Sequence, residues 1–235
     1  MLLKFSFGAP LSMKVEDDEM ADTSDDKLLT NAGAGDQNAA AALFSRHRDR
    51  LRRMVRLRLD RSLQARLDPS DVLQDVYIEF AKSVAAYAQQ PEAPLFLWLR
   101  MLTERKLHYL HRTHLGTKQR DTRREVSLHR GSLPQASSAM LAARLLGKFT
   151  SPSIAAMRLE LKIRIEEALN RMEVMDREVL ALRHYEQLTN AETAKTLGIS
   201  EAAASARFVR ALRRLKDILA GVPGIVDSGT NREAK

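Results

Sequence analysis

The sequence predicts an all-α fold: two small helical domains joined by a flexible linker, the C-terminal one containing a helix-turn-helix. Three observations carry this reading. Apolar residues recur at three- and four-residue intervals along most of the chain, and no stretch alternates apolar and polar residues long enough to suggest a sheet. Asp, Ser and Thr stand ahead of these stripes where helix caps belong, with Pro or Gly close by. A segment rich in Ser, Ala and Gly, residues 129–157, separates two such helical blocks.

Residues 1–24 are expected to be a disordered acidic tail. Their opening apolar stretch is interrupted by Lys4 and followed by acid, which makes a poor secretory signal. An N-terminal domain is expected over 25–128. There Asp36, after Gly33 and Gly35, caps a helix whose stripe is Ala40, Leu43, Phe44, Leu51, Met54 and Val55. Asp68, Pro69 and Asp71 supply a cap, a first-position proline and a first-turn acid for the next helix. That helix buries Val72, Val76, Phe80 and Val84, with Leu73 and Tyr77 widening the stripe. Pro91 and Pro94 break the chain. A third helix then runs from about Leu95 past Leu110 and holds the sole tryptophan, Trp98, with Gly116 as its expected stop. Within the 129–157 linker, Met140 to Phe149 reads as an isolated helix. The C-terminal domain is expected over 158–222, and 223–235 as a disordered tail.

The composition excludes several classes of protein. With no cysteine there are no disulfides and no thiolate metal sites, which fits a cytoplasmic location. No apolar run reaches the ~18 residues of a membrane span, so no membrane insertion is expected. The net charge is +8, although Glu16, Asp17, Asp18, Glu19, Asp22, Asp25 and Asp26 crowd one short segment. The body that follows is therefore strongly basic and attracts polyanions.

The most informative stretch begins at Leu188. Thr189 and Glu192 form a capping box, Gly198 supplies a left-handed stop, and Ser200 caps the next helix. Two short helices separated by a three-residue turn have helix-turn-helix spacing. Ala194 is small where the helices would cross. Leu197, Ile199, Ala204 and Phe208 are expected to fill the joint, and Ala211, Leu212 and Leu215 continue the stripe. Opposite them lie Ser200, Glu201, Ser205, Arg207, Arg210, Arg213 and Arg214, a face suited to phosphates and guanine edges in a major groove.

This segment, with the helix 175–183 ahead of it, resembles the domain of bacterial RNA polymerase sigma factors that reads the promoter −35 element. Residues 67–80 are similar to the sigma segment that docks on the polymerase clamp helices. Phe96-Leu97-Trp98-Leu99-Arg100 resembles the start of the helix that reads and melts the −10 element. The compact two-domain form is similar to the extracytoplasmic-function group, and the resemblance covers roughly residues 25–220. It implies a dissociable specificity subunit that makes and breaks no bond. Its partners would be core RNA polymerase and promoter DNA, duplex at −35 and opened strand at −10, with an anti-sigma factor as a further candidate. Polymerase contacts would fall on Asp71, Gln74, Asp75, Ile78 and Glu79, and −10 contacts on Trp98, Arg100, Arg105, Lys106, His108 and Arg112. The loop 87–94 resembles the one that receives an extruded −10 base. Two departures bear on base preference. Ala202-Ala203-Ala204 stands where the family more often has Gly-Thr-Val, and His108, His111 and His114 interrupt an otherwise Arg-rich helix.

Each residue set also has a plainer reading. Asp71 alone is explained as a partner of the helix dipole, but Glu79 lies beyond the first turn, so a partner surface is the better account. Trp98 also reads simply as a core residue, and the arginines of the last helix as solvated. His108, His111 and His114 cannot all converge on one ion from a regular helix, so no metal, cofactor or catalytic residue is expected. A nuclease would need an acid, base and metal set that the sequence does not assemble. The main alternative is a stand-alone helix-turn-helix transcriptional regulator, which would need a ligand pocket or a self-complementary surface.

Overall fold

The computed structural model describes residues 25–115, 136–146 and 155–220, and all the regular elements among them are helical. Helix α1 occupies 25–33, followed by α2 (Gln37–Arg58), the short α3 (Arg61–Gln64), α4 (Pro69–Gln89) and α5 (Leu95–Leu115). After them come α6 (Ser138–Leu146), α7 (Ala155–Arg171), α8 (Val174–Leu180) with a wider π-type turn over Ala181–Tyr185, α9 (Asn190–Leu197) and α10 (Glu201–Ala220). The expected tails, the Gly116 stop and the basic stretch to Leu128 lie outside the described residues.

Local chemistry sets the helix starts. Asp36 accepts hydrogen bonds from the amides of Asn38 (2.8 Å) and Ala39 (3.1 Å), and Asp68 accepts one from Ser70 (2.7 Å) ahead of Pro69. Each carboxylate satisfies a donor that the first turn of a helix leaves unpaired. Asp25 anchors α1 on α2 through Arg46 (2.8 Å) and His47 (3.1 Å).

Helices α2, α4 and α5 pack pairwise around Leu43, Leu51, Met54, Val72, Val76, Phe80, Leu99 and Leu107. The stripes expected from periodicity are the ones buried. A second core joins α6, α7, α8 and α10 through Leu141, Ile165, Leu169, Leu180, Ala211 and Leu215. The two cores trade side chains. Leu182 and Leu188 belong to the first cluster although they lie in the C-terminal half, and Leu57 of α2 belongs to the second.

Helix α6 differs from the isolated helix expected within 140–149. It runs Ser138–Leu146 and packs along α7, with Leu141 and Ala142 buried. The amide of Ser137 donates to the Leu57 carbonyl (3.0 Å), and Arg177 donates to Ser138 Oγ (3.4 Å) and to the Leu169 carbonyl (3.3 Å). Small and apolar residues on one face let so short a helix dock, where its own propensity would leave it marginal.

Two glycines precede α2 for different reasons. Gly35 sits at φ 97°, in the left-handed region that suits glycine. Gly33 is a close approach: a Cβ there would lie 2.6 Å from the Cβ of Ala88 in α4. Gly33→Ala should therefore destabilise the protein by about 1–3 kcal/mol through overpacking, despite alanine's better helix propensity. Ala88→Gly in the same chain should restore much of the loss. Urea titrations of the three proteins decide it, and a stabilised Gly33→Ala would contradict the close packing.

Candidate nucleic-acid interface

The last two helices are positioned by the expected devices. Thr189 Oγ1 accepts from the Glu192 amide (3.1 Å) and Glu192 accepts from the Thr189 amide (2.8 Å), closing the capping box. Gly198 takes φ 65°, and the Ile199 amide returns to the Ala194 carbonyl (3.0 Å). Ser200 Oγ then accepts from the Ala203 amide (3.2 Å) at the start of α10. The Asn190 amide group donates to the Glu201 carbonyl (2.9 Å), a direct tie between the two helices. Ala194, Ala204 and Ala211 are buried where α9 and α10 meet their neighbours, and their small side chains permit the close crossing. The result is two helices joined by a three-residue turn, the spacing expected of a helix-turn-helix.

On α10, Ser200, Glu201, Ser205, Arg210 and Arg213 are exposed, and Arg207 is half-buried. Arg214 is engaged elsewhere: its guanidinium reaches Asp176 at 3.0 Å and Glu173 at 3.3 Å, pinning α10 to the start of α8. Those two acids hold its positive charge more firmly. Phe208 is only half-buried, beneath the Arg183 guanidinium (5.3 Å to the ring centroid), so truncating it would cost less than a full core cavity.

In the N-terminal half, Asp71, Gln74, Asp75, Ile78 and Glu79 all lie exposed on α4, opposite buried Val72, Val76 and Phe80. Beside them a shallow groove between α2 and α4 is lined by Phe44, Ser45, Arg48, Gln74, Tyr77 and Ile78. Ile78 is 51% exposed, unusual for a branched aliphatic side chain on a helix with a well-filled apolar stripe. Asp75 also pairs with Lys106 of α5 at 2.6 Å.

The residues expected at the −10 element do not form one exposed patch. Arg105 and Arg112 are exposed, and Lys106 and His108 partly so. Trp98 is partly buried and stacks on Tyr87, with ring centroids 4.0 Å apart and planes 6° apart, and also touches Phe80. The Tyr87 hydroxyl donates to the Ala93 carbonyl (2.6 Å), closing the 87–94 loop on itself. His111 accepts from the Asp60 amide (3.2 Å), a structural contact between α5 and the start of α3. Arg100 is buried. Among the described residues, no group of three or more His, Asp or Glu side chains is placed to hold a metal ion, and no helix is long and apolar enough to cross a membrane.

Arg100 is buried because the two halves meet there, at a site that sequence reasoning missed. Glu186, fully buried after the π-type turn, accepts from Arg58 Nε (2.6 Å) and Arg100 Nε (3.0 Å). Arg58 also reaches Glu178. Next along the chain, Gln187 accepts at its side-chain oxygen from Arg53 (2.7 Å) and at its carbonyl from Arg50 (3.1 Å), and Arg50 pairs with the capping-box Glu192 (3.0 Å). Burial would push the Glu186 carboxyl up, but Arg58 and Arg100 more than offset this and hold it below the usual carboxylate range. Burial likewise opposes the charge on Arg58, and Glu186 and Glu178 override it.

Residues 22–218 match the family model described as ECF sigma factor. No curated protein matches the chain. Among solved structures, CnrH in complex with the cytosolic domain of CnrY is similar: 24% identity, 83% of this chain and 97% of that one covered, and a TM-score of 0.50. That likeness is one of fold. A chain from the RsbN–BldN complex is matched at 16% identity over 81% of this chain and 98% of that one, with a TM-score of 0.29.

Because the Glu186 carboxyl is held low when packed, its contribution is present above the ordinary carboxylate pKa and is lost as pH falls through the packed-state value. At neutral pH, Glu186→Gln should weaken the structure by about 3–5 kcal/mol, since it leaves two buried guanidinium groups without their main anion. Melting curves from about pH 7 down to about pH 3 should show the gap between wild type and variant closing as acid is added. A gap independent of pH would mean that the carboxylate charge is not what holds the contact.

Proposed function

The chain belongs to the ECF sigma factor family, and from that premise we propose that it is a dissociable specificity subunit directing core RNA polymerase to particular promoters. The exposed face of α4 binds polymerase at its clamp helices through Asp71, Gln74, Asp75, Ile78 and Glu79. The outer face of α10 reads the −35 duplex, with Arg207, Arg210 and Arg213 supplying guanidinium groups and Ser200, Glu201 and Ser205 the shorter polar contacts. Helix α5 captures the opened −10 strand. Arg105, Lys106, His108 and Arg112 offer cationic and hydrogen-bonding groups, and the partly buried Trp98, held by its stack on buried Tyr87, offers an aromatic edge.

One observation carries this reading: a single family-matched chain holds both a capped helix-turn-helix with free arginines and, on a separate helix, an exposed polar face around Ile78. A stand-alone regulator has use for the first and none for the second. The polymerase performs the chemistry, so this chain needs no catalytic group of its own. CnrH, whose fold is similar, was solved bound to the cytosolic domain of CnrY, and an anti-sigma protein is accordingly a third candidate partner here.

The docking face is tested at Ile78. Reversing Asp75 would also break its pair with Lys106 and place two cations together, whereas Ile78 packs little and can change alone. Ile78→Glu should abolish co-purification with core polymerase and promoter-directed transcription, yet leave the melting temperature within a few degrees of wild type. Undiminished polymerase binding would reject this face.

The DNA face is tested separately. Arg207→Ala and Arg210→Ala should each cost about 1–3 kcal/mol on a cognate −35 duplex where they read bases, or reduce the salt slope by about one where they hold phosphate. Unchanged affinity and salt dependence in both variants would place the DNA elsewhere. A protein that binds and represses fully without polymerase, and ignores Ile78→Glu, would favour the regulator.

A further inference from the structure

Helix α2 carries Arg46, Arg48, Arg50, Arg52, Arg53, Arg56 and Arg58 within 22 residues. Three of these, Arg50, Arg53 and Arg58, converge with Arg100 of α5 on the surface that meets the C-terminal half. What meets them is a set of acceptor oxygens: the carboxylates of Glu186 and Glu192 and both oxygens of Gln187, with Glu178 alongside. Guanidinium groups make the same forked contacts with phosphate as with carboxylate.

An apolar interface would join two helical bundles at least as well as this one. Replacing a buried ion pair by hydrophobic residues of similar volume is often neutral or stabilising. Leu57, Leu182 and Leu188, already at the junction, show that the chain can build such contacts there. Four arginines on one surface are better explained by a second use, as a site for an anion when the halves part. Gln187 holds φ 61°, a backbone state that a residue with a side chain seldom adopts, and both of its oxygens meet arginines. The loop is shaped to its cations.

We propose that Arg50, Arg53, Arg58 and Arg100 form a DNA-backbone site separate from the helix-turn-helix, and that the loop bearing Glu186 and Gln187 occupies it as an internal substitute for phosphate until the C-terminal helices move away. This rests on the reading of the chain as a DNA-binding protein. Exposed Arg48 and Arg56 extend the same helix's positive surface beyond the covered part. Filling the site and separating the halves are then one event, because DNA and Glu186 compete for the same guanidinium groups.

The test uses the full chain and a labelled single-stranded oligothymidylate of about 12 nucleotides, followed by fluorescence polarisation across a salt series. Glu186→Gln should raise affinity about tenfold or more at moderate salt and steepen the salt slope by about 1.4, the value for two further phosphates on a single strand. The gain should survive in an Arg207→Ala/Arg210→Ala background and disappear when Arg58→Gln and Arg100→Gln are added. A gain that survives Arg58→Gln/Arg100→Gln, or no gain at all, overturns the proposal. Hydrogen exchange on the wild-type chain gives a readout that needs no variant to fold. Amides of residues 182–193 should lose protection when the oligonucleotide is added, and unchanged protection also overturns the proposal. Neither assay contains polymerase or promoter sequence, so their failure leaves the polymerase experiments at Ile78 standing.

Discussion

A carboxylate removed from water must find cations close at hand, and Glu186 finds two on different helices of the other half of the molecule. Its position constrains what surrounds it. To bring Glu186 to Arg58 and Arg100, the chain leaves α8 through a wider π-type turn and passes Gln187 in a left-handed conformation before Thr189 starts the next helix. Leu182 and Leu188, on either side, are drawn into the N-terminal core by the same placement. The capping box is coupled to it as well, since Glu192 bonds both the Thr189 amide and Arg50. The orientation of the last two helices therefore rests on one buried acid and its partners together with the apolar side chains the two cores exchange.

This arrangement separates surfaces that stay available from surfaces that are covered. The α4 residues around Ile78 and the outer residues Ser205, Arg210 and Arg213 of α10 are exposed and open to partners. Arg100 and the inner side of α2 are covered by the molecule's own acids. A chain with the function proposed above would hold its two halves at the spacing of two DNA elements, and a second contact made within one assembly gains from high effective concentration. A junction built from ion pairs suits such a chain, because its arginines and acids are well solvated once separated, whereas a broad apolar interface would be left exposed to water.

Much of this was legible in the sequence because it is local. Caps at Asp36, Asp68 and Thr189, the glycine stop at Gly198 and the apolar stripes of α2 and α4 each depend on a few neighbouring residues, and the structure bears them out. The wider fold and family followed from motifs in a fixed order. The junction was not legible, because Glu186 and its arginines lie 86 and 128 residues apart in the chain. One signal was nevertheless present. Arg58 continues the stripe Leu51, Met54, Val55, and Arg100 continues Phe96 at helical spacing, so each places a cation on a face that should be buried. A buried arginine requires a buried acid, and the sequence alone does not say which one. Arg214 shows the same limit in reverse: periodicity sets it on the outer face, where it lies exposed, but does not show that Asp176, 38 residues away, pairs with it.

Whether Glu186 holds the two halves together can be measured as a distance between them. Since the chain has no cysteine, residues introduced at exposed Ala85 and Lys195 would be the sole sites for spin labels, and the distance between them can be measured by pulsed electron resonance on the full chain. One narrow distance distribution is expected for the otherwise wild-type protein, and a broad, longer one once Glu186→Gln is added. Distributions that are broad in both proteins, or equally narrow in both, would contradict that expectation.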